Sequence, residues 1–257
     1  MANTPDLLNN EFFTTERSDS VAYLHLKGNP LFISCDLTAR DSVADYLDLV
    51  ASDDDVKVIV MVNNPRTGRE EYLEFYRDIL ATESDRSRFF KMCNVFDFIL
   101  LRMVATSKFI VGVDSGDVMG EMLNLSLAAD YRIVSNSTRF QNAHFDLGMM
   151  PKGGGAYLLP KLVGLANARR VLLSERDLTA RDAQDMGIVD ELVAKDDLMA
   201  QTERRAKSFA ALPSSTLRAT KRLINFTLSD FKEYLEQENT ELQRIFNSAS
   251  FQKRLKG

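Results

Sequence analysis

The chain of 257 residues has 45% hydrophobic and 27% charged residues, the composition of an ordinary globular protein. A net charge of −5 without a lysine and arginine cluster excludes the usual basic surface for nucleic acid, and no apolar run reaches the ~20 residues of a membrane span. The first ten residues lack a basic segment followed by an apolar one, so we expect no secretory signal and a cytoplasmic location. The length fits one α/β domain with a helical appendage.

The cysteines and histidines give no sign of a metal site or a disulfide. Cys35 and Cys93 form no close pair, and we expect both to be reduced and buried. The two histidines and two cysteines show no CxxC or HxxxH spacing, so no metal is predicted.

The N-terminal quarter alternates between strand and helix patterns. Residues 1–17 are polar and are expected to be loose, anchored by two phenylalanines. A strand is predicted over 21–26 from alternating apolar residues, and a helix over 38–50 from apolar residues on one face. The next strand, over 56–62, reads VKVIVMV and is apolar almost throughout, as in a strand covered on both sides.

The middle of the chain continues the alternation. Residues 71–105 are predicted to be helical, with a polar break over 82–88. A short apolar strand over 109–113 precedes a helix over 119–129, which is apolar on nearly every face and therefore buried. A further strand is predicted over 131–135. Strands that alternate with helices favour a parallel α/β arrangement.

The last third becomes helical. Helices are predicted over 166–174 and 179–186, and a short strand over 188–193. From there the chain is almost entirely helix, interrupted at Pro213. The sequence therefore divides into an α/β core, 1–195, and a helical C-terminal region, 196–257.

The C-terminal region carries more apolar residues than one helical layer normally buries. This excess predicts an interface between subunits. The residues concerned are Phe209, Leu212, Leu217, Leu223, Phe231, Tyr234, Leu242 and Phe246.

Two junctions combine a strand, a glycine turn and a helix start, at Gly68 and at Gly120. Helix starts leave backbone N–H groups without intrahelical partners and carry a positive partial charge. Such groups can hold an oxyanion, so we predict that the amides of Gly68, Gly120 and Glu121 converge on one pocket. The pattern alone is common in α/β proteins and equally fits a strand packed on a core helix.

Four segments together resemble the crotonase family, also called the enoyl-CoA hydratase/isomerase superfamily. The resemblance covers roughly residues 20–255. It is carried by VKVIVMV with its turn, by FIVGVDSGDVMGEMLNLSLAADYRIVSNSTRF, by HFDLGMMPKGGGAYLLPKLVG and by VLLSERDLTARDAQDMGIVDELV. The last two are the most specific, because several fixed offsets agree at once.

The resemblance implies a fold and a chemistry. The fold is a spiral of ββα units with a helical C-terminal region that packs into homotrimers, often paired into homohexamers. The chemistry is the stabilisation of an enolate, usually of an acyl-CoA thioester, by two backbone N–H groups. Coenzyme A then enters as part of the substrate, and no tightly bound cofactor is expected.

The residues depart from the family at its catalytic positions. Asn124 and His144 occupy the places of the two glutamates of the family's hydratases. Water addition by a glutamate pair is therefore not supported. His144 is the predicted acid/base residue, because imidazole exchanges protons near neutral pH. Asp146 is a second predicted catalytic residue or a turn cap, and Asn124 is a predicted substrate-binding residue.

Four functions remain open from the sequence. The first is an acyl-CoA enzyme of the enolate type with a non-standard acid/base. The second is a hydrolase of a C–C bond in a β-diketone, since a histidine at position 144 is similar to that branch of the family. That branch carries an aspartate in the later glycine loop, which here reads Lys152-Gly153-Gly154-Gly155. The others are a conventional hydratase whose glutamates fall elsewhere and a non-catalytic ligand-binding protein.

Overall fold

The computed structural model describes residues 7–27, 37–63, 68–80, 83–174 and 176–255. Its strands are β1 (Phe13–Ser18), β2 (Val21–Leu26), β3 (Val58–Asn63), β4 (Phe109–Asp114), β5 (Asp117–Met119), β6 (Tyr131–Ser135), β7 (Arg139–Gln141), β8 (Leu178–Thr179) and β9 (Glu191–Val193). Its helices are α1 (Leu37–Ser52), α2 (Arg69–Leu80), α3 (Glu83–Ala105), α4 (Glu121–Leu127), α5 (Gly155–Leu172), α6 (Ala180–Asp185), α7 (Leu198–Ala210), α8 (Ser214–Asn225), α9 (Phe231–Phe246) and α10 (Ala249–Leu255).

The strands form two sheets. The larger has six strands in the order β1-β2-β3-β4-β6-β9, and the smaller has the order β5-β7-β8. Only the β1–β2 pair of the larger sheet is antiparallel, and its other pairs are parallel. The mixed α/β class predicted from the sequence is therefore confirmed.

The parallel strands place their carboxyl ends side by side. β3 and β4 are buried along most of their length, as their apolar sequences predict. Their register pairs Asn63 with Asp114, so both strands end at the same edge of the sheet. In the sequence, Gly68 follows the end of β3 and Gly120 follows the end of β4.

Residues 13–17 are more ordered than the sequence predicts. β1 lies within the segment expected to be loose and pairs antiparallel with β2. Its sequence, FTTERS, reads as polar, but Phe13 and Thr15 are both buried on one face. The prediction failed because a threonine counts as polar although its methyl group packs well on a pleated surface.

Element bounds differ from the sequence predictions at several other places, for example at α5, which begins at Gly155 although a helix was predicted only over 166–174. The helix predicted over 119–129 is the shorter α4, because Gly120 forms its N-terminus and residues 128–130 turn into β6. The polar break predicted over 82–88 is helical from Glu83, where α3 begins, and Thr82 lies outside the described residues.

The C-terminal helices bury more of their apolar residues within the chain than the interface argument assumed. Leu217, Phe231, Leu242 and Phe246 are all buried in the single chain. The chain itself covers these four residues, so the prediction of a subunit interface is wrong for them; α9 packs against α3, and α10 packs on α9. Leu223 is 76% exposed and still fits the prediction.

The described helices include none that is long and apolar enough to cross a membrane. Within the same described ranges, no group of three or more histidine, cysteine, aspartate or glutamate side chains is placed to hold a metal ion. Cys93 is buried and unbridged, and Cys35 lies outside the described residues.

Candidate active site

A cavity of about 50 Å³ lies beside the N-terminus of α4. Nine of its nineteen lining residues are aliphatic or thioether and seven have polar side chains, so apolar and polar groups meet in it as in ligand pockets. The lining residues are Tyr72, Gly120, Leu123, Asn124, Leu127, Phe140, Gln141, Asn142, His144, Met149, Met150, Pro151, Lys152, Gly155, Leu159, Val171, Leu172, Arg176 and Leu178. The predicted site residues His144, Asn124 and Gly120 thus face one cavity.

Gly120 forms the N-terminus of α4 in a conformation that requires glycine. Its φ is +51°, and a Cβ at this position would collide with the hydroxyl of Tyr72. The first amides of α4 have no partner within the helix, and the helix dipole adds a positive partial charge there. A developing oxyanion in the cavity would meet these donors at its edge.

His144 presents an unpaired ring nitrogen. Its Nε2 is buried and has no hydrogen-bond partner among the described residues. The Leu172 backbone acts on the ring as well and raises its pKa. In the neutral tautomer whose hydrogen lies on Nδ1, Nε2 carries a free lone pair and can accept a proton.

The protonation state of His144 follows from its surroundings. Burial lowers the pKa of His144 to about 4, although the Leu172 backbone and Asp146 act in the opposite direction. The ring is therefore neutral at neutral pH and can accept a proton. Because its pKa is low it is a weak base, and the proton that it removes must be acidified by other groups.

Asn124 is held in place by the loop that follows Pro151. It is buried on α4, and its Nδ2 donates to the carbonyl of Lys152 over 2.5 Å. An amide in this position can orient a ligand but does not exchange protons near neutral pH. The geometry therefore fits the neutral pocket residue predicted from the sequence.

Asp146 lies two residues beyond His144 but outside the described lining of the cavity. Its carboxylate pairs with Arg69 at 2.6 Å, and the same guanidinium reaches Asp177 at 3.2 Å. Arg69 is the first residue of α2, directly after Gly68. We therefore assign Asp146 a structural role, in which it ties the His144 turn to the start of α2.

The other two predicted oxyanion donors, the amides of Gly68 and Glu121, do not line the described cavity. Gly68 is exposed and precedes α2, and the residues before it, 64–67, lie outside the described part of the chain. Its carbonyl accepts the Tyr72 N–H, which joins it to the first turn of α2. Glu121 is the first residue of α4. Neither Gly68 nor Glu121 is among the lining residues of the described cavity, and their convergence stays a prediction.

His25 is separate from this site. It lies on β2, and its Nε2 is 3.3 Å from the carboxylate of Glu16 on the neighbouring strand. The pair is partly exposed, and His25 is not among the residues that line the described cavity.

Two charged residues that line the cavity, Lys152 and Arg176, were not predicted from the sequence as site residues. Lys152 is buried and forms ion pairs with Asp97 and Glu238. A lysine that precedes three glycines next to a predicted site was a local signal for it. Its two partners lie on α3 and α9, far along the chain, and nothing local marks them.

Comparison with known proteins identifies the class. A sequence profile described as Enoyl-CoA hydratase/isomerase matches residues 16–257. The chain therefore belongs to the enoyl-CoA hydratase/isomerase family, and it is a hydratase/isomerase-like enzyme of the crotonase superfamily. The resemblance inferred from the sequence motifs is confirmed.

Two curated relatives are isomerases by name. Trans-2-decenoyl-[acyl-carrier-protein] isomerase of Streptococcus mutans is 26% identical over 206 residues, which cover 79% of this chain and 76% of that protein. Enoyl-CoA delta isomerase 2 of Rattus norvegicus is 29% identical over 195 residues, which cover 74% of this chain and 48% of that protein. The aligned part thus spans about half the length of the second relative.

The fold matches solved structures across nearly the whole chain. An enoyl-CoA hydratase from Bacillus halodurans superposes with a TM-score of 0.81 at 22% identity, covering 95% of this chain and 99% of that one. A second, from Mycobacterium avium subsp. paratuberculosis, gives a TM-score of 0.76 at 21% identity, covering 95% of this chain and 94% of that one. The crotonase-like fold predicted from the sequence is therefore confirmed.

Proposed function

We propose that this chain shifts the double bond of an unsaturated acyl thioester through an enolate held at the start of α4. The carrier of the acyl group is coenzyme A or a pantetheine-bearing protein, and coenzyme A takes part only as a piece of the substrate. The observation that carries the proposal is the unpaired, buried Nε2 of His144 in the cavity that Gly120 also lines. One proton acceptor therefore shares a pocket with a helix start.

The proposed reaction needs only one acid/base group. The amide N–H groups of Gly120 and Glu121, with that of Gly68 as the other predicted donor, donate hydrogen bonds to the thioester oxygen and so acidify the proton on C2. Nε2 of His144 takes that proton, and the C2–H electrons form the enolate. The imidazolium then returns a proton to C4, the C3–C4 double bond moves to C2–C3, and the thioester carbonyl reforms. No water is added and nothing is oxidised.

Isomerisation is favoured over hydration by the polar groups at the site. Hydration requires a group that activates water as well as a group that protonates carbon. Asn124 cannot supply a second proton transfer, because a neutral amide has no accessible pKa. The names of two relatives, both isomerases, give independent support.

The assembly remains part of the proposal. Leu223 (76% exposed), Ile224 (64%) and Phe226 (78%) lie together at the end of α8 and directly after it. An apolar surface of this kind is typical of an interface, and we propose the homotrimer or homohexamer of the sequence expectation. A stable monomer in light scattering at micromolar concentration would contradict it.

The experiment compares two reactions of the purified chain. A 3-enoyl-CoA is incubated with the enzyme, and the ultraviolet absorbance of the conjugated 2-enoyl thioester is followed. We expect this absorbance to rise. In parallel, a 2-enoyl-CoA is supplied in water, and we expect little loss of the same absorbance. Rapid hydration without isomerisation would contradict the proposal, and cleavage of a cyclic β-diketone in a third arm would favour the hydrolase.

A further inference from the structure

A buried cluster of charges lies behind the glycine loop of the cavity. The ammonium of Lys152 is 3.0 Å from both carboxylate oxygens of Asp97 and 3.1 Å from Oε2 of Glu238. Asp97 lies on α3 and Glu238 on α9. All three residues are less than a tenth exposed, at 7% for Asp97, 6% for Lys152 and 3% for Glu238. Groups buried to this extent are seldom charged unless they are paired.

Glu238 also binds the loop directly. Its Oε2 accepts the N–H of Gly153 over 2.8 Å, and its Oε1 accepts the N–H of Gly154 over 3.2 Å. Gly154 is the N-cap of α5, so the carboxylate lies at the positive end of that helix. Hydrogen bonds of backbone N–H groups to a charged acceptor are stronger than those to a neutral one.

The far side of the same loop touches Asn124. The carbonyl of Lys152 accepts the Nδ2 hydrogen bond of Asn124. Gly153 has a φ of +86°, and a Cβ there would lie 2.9 Å from that same nitrogen. The loop is thus held between Glu238 of the C-terminal region and Asn124 of the cavity.

The cluster places one ammonium group, that of Lys152, between two carboxyl groups, those of Asp97 and Glu238. Burial raises the pKa of Asp97 to about 6, and Lys152 offsets this only in part. Burial alone would lower the pKa of Lys152, but Cys93, Asp97 and Glu238 together raise it by more. The lysine therefore stays charged between two acids, and its removal would leave two carboxylates buried without a cation.

We propose that Glu238 and Lys152 are positioning residues of the cavity, which hold the glycine loop against Asn124 and so set the surface that receives the acyl group. The C-terminal region is then a structural part of the site in each chain, whatever its role between subunits. The proposal rests on the proposed function only because it takes the cavity as the acyl site.

The test distinguishes the hydrogen bonds from Gly153 and Gly154 to Glu238 from the negative charge that Asp97 places beside Lys152. Glu238→Met removes the acceptor of both glycine amides, whereas Asp97→Asn removes one negative charge from Lys152 and leaves the amide bonds intact. Glu236→Gln on the exposed face of α9 is the matched control. Amide exchange of Gly153 and Gly154 is measured by NMR on the full chain without ligand. Binding of acetoacetyl-CoA is measured separately by calorimetry.

The expected results differ between the variants. Exchange at both glycines accelerates at least about tenfold in Glu238→Met, by a few-fold in Glu238→Gln, and by less than about threefold in Asp97→Asn. Acetoacetyl-CoA binding weakens by about tenfold in Glu238→Met and is unchanged in Glu236→Gln.

Two results would overturn the proposal: unchanged exchange in Glu238→Met, or equal acceleration in Asp97→Asn and Glu238→Met. If Glu238→Met does not fold, the comparison of Glu238→Gln with Asp97→Asn decides in the same way. Failure of the wild-type chain to bind acetoacetyl-CoA would count against the proposed function, while the exchange data would still decide this inference.

Discussion

The side chain of Asn63 donates a hydrogen bond to Oδ1 of Asp114 over 2.7 Å, and both residues are buried. Asn63 ends β3 and Asp114 ends β4, so this bond joins the two strands at the points where the chain leaves for Gly68 and Gly120. The other oxygen of Asp114 accepts the hydroxyl of Ser126 on α4 over 2.6 Å. One carboxylate thus fixes the end of each strand relative to the helix that borders the cavity.

His144→Ala tests the predicted acid/base residue. Proton transfer by a placed side chain is typically worth about 10²–10⁴-fold, and we expect the variant to lose about that much turnover with ligand binding largely kept. Asn124→Ala should lose less turnover, because an amide transfers no proton. Steady-state kinetics with a 3-enoyl-CoA provide the measurement.

The control for this prediction is the other histidine. His25→Ala removes an imidazole from β2, away from the cavity, and should leave turnover unchanged. Equal losses in His25→Ala and His144→Ala, or full activity in His144→Ala, would remove His144 from the mechanism.

The pH dependence of stability should reflect the burial of His144. Its pKa is about 4 in the folded chain and 6.5 in the reference state, so the unfolded chain binds the extra proton between these values. The free energy of unfolding contributed by this group is fully present above about pH 6.5 and is lost as the pH falls toward 4, by on the order of 2–3 kcal/mol.

The measurement must be a difference in unfolding free energy, because buried acids change stability with pH in the opposite direction. Burial raises the pKa of both Asp97 and Asp114 to about 6, so the folded chain binds more protons there and loses stability as the pH rises. Urea unfolding of wild type and His144→Gln at pH 4.5 and 7.5 cancels these contributions. The variant should gain stability relative to wild type at the lower pH, and a difference independent of pH would contradict the burial argument.

Gly120→Ala should destabilise the start of α4. The positive φ and the collision with Tyr72 both oppose a side chain, and we expect a loss of about 1–3 kcal/mol in unfolding free energy. Removing the hydroxyl with Tyr72→Phe should recover part of that loss, which a double-mutant cycle by denaturant unfolding measures. Additive effects of the two substitutions would show that the contact is not the cause.

Asp146→Asn tests the structural assignment of that residue. The pair with Arg69 is partly exposed on both sides, at 31% and 42% of the side chains, and such pairs contribute less than about 1 kcal/mol. We expect turnover to fall less than about tenfold, far less than in His144→Ala. Asp177→Asn, which removes the other partner of the same guanidinium, is the matched control. A loss in Asp146→Asn as large as that in His144→Ala would restore a catalytic role.

Three residues that line the cavity could be predicted from the sequence, whereas the ion pair between Arg69 and Asp146 could not. His144 and Asn124 were predicted from their offsets to Asp130 in the family motif, and Gly120 from a strand, a glycine turn and a helix start; all three line the cavity. Arg69 and Asp146 are 77 residues apart, and no pattern in either segment predicts their contact. The same limit applies to β1, whose partner strand determines that Thr15 is buried.

The apolar residues of the C-terminal helices show a second limit. Periodicity identifies the face of a helix that is covered but does not say what covers it. Phe231 and Phe246 are covered by the chain itself, whereas Leu223 is not. Only the packing of α9 and α10 distinguishes an internal contact from a surface available to another subunit.

The hydrogen bond from Gly153 to Glu238 joins residues 85 positions apart, and it therefore affects how the chain folds during its synthesis. During synthesis the α/β core leaves the ribosome first, and its glycine loop has no acceptor until α9 follows. Contacts between distant parts of a chain form late, after the loop between them has closed. A nascent chain that ends before α9 would carry Lys152 and Asp97 without Glu238, and its cavity would be completed only when the last helices dock.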